Sequence, residues 1–165
     1  MPGDSYVMCR IDKTNIGTLK IINSAVFPVS YGDKFYEEVV KPENEMFNRI
    51  IYLASSNIAI GAVCCRISFP DPQANKINSS DLYIMTLGCL THYRRRHIGS
   101  MLIDYVFDIC KKIPSITRIC LHVQTSNEVA LKFYKKLGFQ IKDTLKDYYR
   151  KIDVTSAYLL VKELS

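Results

Sequence analysis

Six consecutive residues, Arg94-Arg95-Arg96-His97-Ile98-Gly99, set three guanidinium groups and an imidazole directly before an apolar pattern of helical period. Ile98, Met101, Leu102, Tyr105, Val106 and Ile109 fall on one face of that pattern, which predicts an amphipathic helix opening at this turn. The first N–H groups of a helix have no intrahelical acceptors, and the aligned peptide dipoles add positive potential. Backbone donors in such a turn can therefore bind a pyrophosphate, with the arginines strengthening the attraction. A solvated charge run at a helix start has the same composition, and the segment alone does not separate the two readings.

A second candidate for chemistry is proton transfer. His122 stands between Leu121 and Val123, and Tyr83 between Leu82 and Ile84. On extended strands, each polar side chain faces away from its apolar neighbours. An imidazole needs little perturbation to accept a proton near neutral pH, whereas a phenol needs a large one. Both residues also fit a satisfied core position, and alternation alone does not show that the two faces coincide. No cysteine has an evident base beside it, so a covalent acyl-enzyme has no good candidate. No C-x-x-C pair occurs and His92, His97 and His122 lack ligand spacing, so no metal site is expected.

These residues need elements to hold them. A partly alternating strand is predicted at 7–11, and Ile16, Leu19, Ile22 and Val26 mark a helix that Phe27-Pro28 interrupts. Residues 27–31 should form a loop with exposed apolar groups, and Asp33 can cap a short second helix. Strands at 49–54 and 58–69, separated by Ser55-Ser56-Asn57, read as an antiparallel hairpin. A polar loop at 70–80 leads to a buried strand at 82–87, which runs into the arginine turn. The helix after Gly99 should stop at Lys111-Lys112, just before Pro114. A strand follows at 118–123, then a capping box at Thr125-Ser126-Asn127-Glu128 opening a helix that Gly138 ends. Strands at 139–145 and 157–161 complete the chain.

At 165 residues and 48% hydrophobic composition, one sizeable core and a single domain over 1–165 are expected. The net charge of +6 favours an anionic partner without naming its kind. The six cysteines lie in or beside apolar runs, where cysteine behaves as a small core hydrophobe, so reduced thiols are expected. No segment approaches the roughly 20 apolar residues of a membrane span, and the start lacks a signal-like pattern. A cytoplasmic, and also nuclear, location is the expectation.

The turn at Arg94–Gly99 resembles the acetyl-CoA signature of the GNAT superfamily, Arg/Gln-x-x-Gly-x-Gly/Ala, with His97 in place of its first glycine. Ser126-Asn127 and Phe133-Tyr134-Lys135-Lys136-Leu137-Gly138-Phe139 stand in superfamily order after it. The resemblance implies an α/β fold, with a mixed, mostly antiparallel sheet flanked by helices. That sheet would splay between the strands at 82–89 and 118–123, where acetyl-CoA would enter. Residues 27–31, 82–90, 121–124 and 148–149 look more narrowly like the NatE-type catalytic subunits.

That narrower resemblance implies direct transfer of acetyl from acetyl-CoA to the α-amino group of peptide and nascent-chain N-termini. Methionine followed by a hydrophobic residue would be preferred, lysine side chains would be a further substrate, and the ribosome-bound NatA complex would be a partner. It assigns His122 as the base and Tyr83 as its partner, acting through an ordered water. A backbone N–H near Met85 to Leu87 would stabilise the thioester oxygen, and Tyr134 would protonate the leaving thiolate. Cofactor contacts would come from Met85, Leu87, Arg94, Arg95, Arg96, His97, Ile98, Gly99, Ser100, Asn127 and Tyr134. Phe27, Pro28, Val29, Tyr31, Tyr148 and Tyr149 would hold the peptide. A helical His97 with negative φ would keep its N–H directed at the pyrophosphate, whereas a position needing positive φ would strain histidine by about 1–3 kcal/mol and weaken the cofactor site. With Gly99, the arginines and Ile98 in place, binding is expected to survive. An inactive relative serving as a structural component is the rival reading, with His97 as its support. A nucleic-acid-binding domain is disfavoured, since the cations concentrate at one turn.

Overall fold

The computed structural model describes residues 5–68, 79–148 and 156–164. The chain forms two compact units: Met1–Arg66 with Ile84–Ile113, and Ile67–Tyr83 with Pro114–Ser165. Hydrogen-bonded strands follow the order β1-β2-β3-β4-β5-β7-β6.

The first unit holds β1 (Tyr6–Arg10), α1 (Ile16–Val26), α2 (Asp33–Val39), β2 (Arg49–Leu53), most of β3 (Ile58–Ser68), the latter part of β4 (Ser80–Cys89) and α3 (Ile98–Lys111). β1, β2 and β3 pair antiparallel in sequence. Asn57, at φ +57°, closes the β2–β3 turn with its N–H on the Leu53 carbonyl at 2.8 Å. The predicted apolar stripe of α1 faces this sheet. Leu19 and Ile22 are buried with Ile11, Val39, Ile50, Ala62 and Cys64, and Ile16, Val26, Phe35 and Met85 pack against them. Each fully buried Leu, Ile or Val side chain among them contributes about 1.5–3 kcal/mol. Asn48 is fully buried yet satisfied, its amide donating to the Val39 carbonyl at 2.7 Å and its oxygen accepting from the Cys65 N–H at 2.6 Å. Asp33 does not cap α2. It is the first helical residue, Gly32 takes the cap position, and no side chain bonds there.

In the second unit, the start of β4 pairs parallel with β5 (Ile116–Gln124), in the register Asp81↔Arg118, Leu82↔Ile119 and Tyr83↔Cys120. That ladder ends at Tyr83↔Cys120, although β4 runs on to Cys89 and β5 to Gln124. β7 (Ala157–Glu163) pairs antiparallel with β5 along seven residues, and β6 (Gln140–Leu145) lies outside β7.

The helix α4 (Glu128–Lys136) is capped by Asn127 alone, whose side chain accepts from the Ala130 N–H at 3.1 Å. The expected capping box does not form, because Thr125 still donates its N–H to the Ser156 carbonyl at 3.1 Å and the helix starts later. Its other end closes as a Schellman turn, with Gly138 N–H on the Lys135 carbonyl, Phe139 N–H on the Tyr134 carbonyl, and Gly138 at φ +95°. Phe139 is thereby committed to the turn, and β6 begins at Gln140 rather than 139.

Candidate active site

Paired residues in a parallel ladder point to the same face, so Tyr83↔Cys120 puts the Tyr83 ring on the side of Cys120 and, two residues on, of His122. This register resolves what alternation leaves open. The Tyr83 hydroxyl lies 2.6 Å from His122 Nδ1, donating or accepting according to the imidazole tautomer. Tyr148, just beyond β6, closes the group. Its ring stacks on His122 with centroids 4.4 Å apart and 23° between planes, and its hydroxyl lies 3.3 Å from that of Tyr83. His122 is half-buried, and this desolvation lowers its pKa below the usual imidazole value. The imidazole is therefore neutral at neutral pH and hydrogen-bonded to a phenol, an arrangement able to take up and relay one proton. Tyr148 was expected as a peptide contact; the structure sets it against Tyr83 and His122. Tyr149 lies outside the described residues.

On α4 of the same unit, Asn127 is exposed and engaged as the helix cap. Tyr134 is 7% exposed, and its ring meets Phe139 at 5.4 Å and 74°, the apolar contact that accompanies the Schellman turn.

The arginine turn belongs to the first unit. After a 3-10 turn at Thr91–Tyr93, Arg94 is extended, Arg95 has φ +65°, and His97 has φ +62° and ψ +23°. Of the two alternatives for His97, the structure takes the positive φ: the turn reverses through two left-handed residues, a conformation glycine adopts without steric cost. Histidine is among the side chains that enter this region more readily than most. Ile98 is buried and fixes the helix start, and the first intrahelical bond runs from Met101 N–H to the His97 carbonyl at 2.9 Å. Ile98, Gly99 and Ser100 consequently have no intrahelical acceptor, and no side chain caps the end. Arg94, Arg95, Arg96 and His97 are exposed around these donors, with Arg96 over the Tyr93 ring at 5.2 Å. The charge of Arg94 reaches the Cys89 thiol, whose pKa burial nonetheless raises.

Also in this unit, the 27–31 loop follows α1 as predicted, with Phe27 extended. Phe27 and Tyr31 meet edge to face at 6.1 Å, and Tyr31 lies 4.5 Å from Phe35. Phe27, Val29 and Tyr31 are half-buried and Pro28 is exposed. Gly88 allows this approach, since a Cβ there would stand 2.8 Å from Val26 and 3.0 Å from the Phe27 ring. Sequence reasoning passed over Gly88, although a glycine inside a strand is a signal of close approach. Met85 and Leu87 are half-buried on β4, with Met85 against the α1–α2 core.

All six cysteines carry free thiols, and burial pushes Cys64 up to about 12 and Cys110 to about 11. Among the described residues, no group of three or more His, Cys, Asp or Glu side chains is placed to hold a metal ion. No helix among them is long and apolar enough to cross a membrane.

Comparison with known proteins adds the family. The Acetyltransferase (GNAT) family model matches residues 10–139. N-alpha-acetyltransferase 50 of Danio rerio is 45% identical over 150 residues, covering 91% of this chain and 83% of that protein. The probable N-acetyltransferase san of Drosophila melanogaster is 44% identical over 164 residues, covering 99% and 84%. Arabidopsis thaliana Naa50, solved in complex with the bisubstrate analogue CoA-Ac-MVNAL, superposes with a TM-score of 0.86 at 38% identity, covering 97% of this chain and 99% of that one. With the family match extending through the arginine turn and β5, the chain belongs to the GNAT acetyltransferase family.

Proposed function

We propose that this GNAT chain transfers acetyl from acetyl-CoA to the α-amino group of peptide N-termini, with Tyr83 and His122 moving the proton. The observation that carries the reading is the 2.6 Å contact between the Tyr83 hydroxyl and His122 Nδ1, in a chain 45% identical to N-alpha-acetyltransferase 50.

An α-ammonium group must lose a proton before its nitrogen can attack the thioester. Its ordinary pKa is about 7.7–8.0, against about 10.4 for lysine. A neutral imidazole of lowered pKa is a weak base, better matched to the α-amine than to lysine. A water accepts the amine's proton and passes it to the Tyr83 oxygen, while the phenol gives its own proton to His122 Nδ1. The C–N bond then forms and the C–S bond breaks; the Tyr134 hydroxyl supplies a proton to the departing thiolate, and the second proton shed by the nitrogen as it becomes an amide restores the Tyr134 hydroxyl. Backbone N–H groups near Met85 to Leu87 stabilise the negative oxygen. The uncapped donors at Ile98, Gly99 and Ser100, with Arg94, Arg95 and Arg96, suit the pyrophosphate.

The reading extends to a preference for methionine followed by a hydrophobic residue. The apolar 27–31 loop, with Phe27 seated against Gly88, suits an apolar side chain. Lysine side chains form a slower substrate class. A location in cytoplasm and nucleus, and association with a ribosome-bound NatA complex, complete the proposal; the net charge of +6 suits an anionic partner such as the ribosome.

The test is to incubate purified protein with acetyl-CoA and peptides varied at their first two residues, with free and blocked N-termini. Acetylation of free Met-Leu-type peptides, with poor use of blocked lysine-containing ones, is the expected result. Equal rates on both would end the N-terminal assignment.

A further inference from the structure

The proton-transfer reading leaves unused an ion pair, its carboxylate buried and its guanidinium half-buried, on the same face of the same two strands. Asp81 is only 6% exposed, and Arg118 meets it fork to fork, Nε donating to Oδ1 at 3.1 Å and Nη2 to Oδ2 at 2.6 Å. Each partner stands near the head of a strand that carries one of the two reactive side chains. Asp81 precedes Tyr83 by two residues, and Arg118 precedes Cys120 by two and His122 by four.

We propose that Asp81 and Arg118 are positioning residues that set the β4–β5 register and thereby hold the Tyr83 phenol on His122. The inference rests on the reading of those two side chains as the proton-transfer pair.

β4 and β5 are parallel and connected through α3, so no hairpin turn fixes their alignment. Their pairing comprises Ser80↔Ile116 and three further pairs, with a register shift between Ser80 and Asp81. A slip of one residue is excluded, because it would turn Leu82, Ile119, Leu121 and Val123 to the opposite face. A slip of two is not excluded by the apolar pattern. It would set Leu82 against Leu121 instead of Ile119, one aliphatic residue for another, while moving Tyr83 about 6.6 Å along the strand. The 2.6 Å contact with His122 does not survive such a shift.

The polar face is what distinguishes the two registers. After a two-residue slip, Asp81 would lie opposite Cys120 or Ile116, and its carboxylate would be buried without a counter-charge. That state is far less stable than the paired one, and register selection is the best-attested role of a buried polar pair. The other acid facing this pair, Glu163 across from Arg118 on β7, is exposed, so solvation can satisfy it in either register. Only Asp81 demands the guanidinium.

The test uses the double variant Asp81→Leu/Arg118→Leu, which removes both charges and orphans neither, with Asp81→Asn as a milder substitution that keeps an acceptor for Arg118. Turnover, KM for acetyl-CoA, melting temperature and the NMR titration of the His122 imidazole are measured on each. The double variant is expected to stay folded with KM for acetyl-CoA little changed, while kcat falls about ten- to a hundredfold, as for an ångström-scale misplacement of a reacting group. The His122 signals should lose the signature of a bonded Nδ1. Asp81→Asn should fall between the double variant and wild type, and it decides the matter if the double variant does not fold. Wild-type kcat together with an unchanged His122 titration, in whichever variant folds, overturns the proposal. If His122→Ala retains turnover, the proton-transfer reading is what fails, and the imidazole signals still decide whether the ion pair positions His122.

Discussion

The Tyr83–His122–Tyr148 group and the Arg94–Ser100 turn are built on opposite plans. The first gathers side chains separated by as many as 65 residues, and its central contact depends on a strand register. The second is seven consecutive residues whose donors are backbone N–H groups and whose charges are exposed. Geometry in the first is set by long-range packing, so it is vulnerable to side-chain changes and nearly indifferent to salt. In the second it is set by local φ and ψ, so it tolerates side-chain changes and responds to ionic strength.

The sharpest way to test that contrast is to remove the proposed base, His122. His122→Ala is expected to lower kcat by roughly a hundredfold, the usual range for loss of a general base, with acetyl-CoA affinity little changed. Tyr83→Phe, which deletes the relay hydroxyl, should act in the same direction. Steady-state kinetics with calorimetry separates the two quantities, and unchanged turnover in folded His122→Ala would make it a packing residue. The pH profile gives a second measurement. The base works only when neutral, and burial holds its pKa below 6.5, so the acid limb of kcat should fall below that value, with loss of about tenfold per pH unit beneath it. Stability moves the same way. The unfolded chain binds the His122 proton more readily, so this contribution is whole above the unfolded pKa and is lost as pH falls through the folded one.

Neutralising the second region should have a smaller effect. Replacing Arg94, Arg95 and Arg96 together by glutamine is expected to weaken acetyl-CoA about tenfold at low salt, as exposed ion pairs contribute about 0.2–1 kcal/mol each. The loss should shrink as ionic strength rises, because the Debye length falls to about 8 Å at physiological salt. Calorimetry at two salt concentrations reads both. Equal losses at low and high salt would mean that the arginines shape the turn rather than attract the phosphates.

The same contrast explains what could be read before the fold. The period of Ile16, Leu19, Ile22 and Val26 placed α1 at Ile16–Val26, and Phe27-Pro28 marked its end, because local sterics and one apolar face decide a helix. The arginine turn was visible for the same reason. The Tyr83–His122 contact was not derivable from alternation, since strands of period two carry no information on how far one slides past another. Asp81 and Arg118 held that information as two charges in otherwise buried strands, but nothing in the chain says that they meet. The capping box failed through a competing long-range bond, Thr125 to Ser156. Backbone dihedrals were the remaining blind spot: at His97 the sequence left both signs of φ open, and the turn takes the left-handed one.

His97→Gly should therefore have the smallest effect, and it tests whether the turn is governed by backbone shape. Histidine at φ +62° bears a steric cost that glycine does not, about 1–2 kcal/mol for an ordinary L-residue and less for one of the side chains that tolerate the region. Glycine returns much of that gain by losing more conformational freedom on folding, about 0.5–1 kcal/mol. The two terms oppose each other, so the melting temperature should shift by no more than a few degrees. Affinity should change less still. The N–H at this position is present in either residue, and Ile98 keeps the helix start in place, so the donors that meet the pyrophosphate are the same. The imidazole is exposed, so no buried contact is lost with it. Acetyl-CoA affinity is expected to change by less than about tenfold, or 1.4 kcal/mol. Calorimetry on the two proteins decides it. Binding seen only after the glycine is restored would mean that histidine distorts the turn, and would favour a relative in which the cofactor site has been lost.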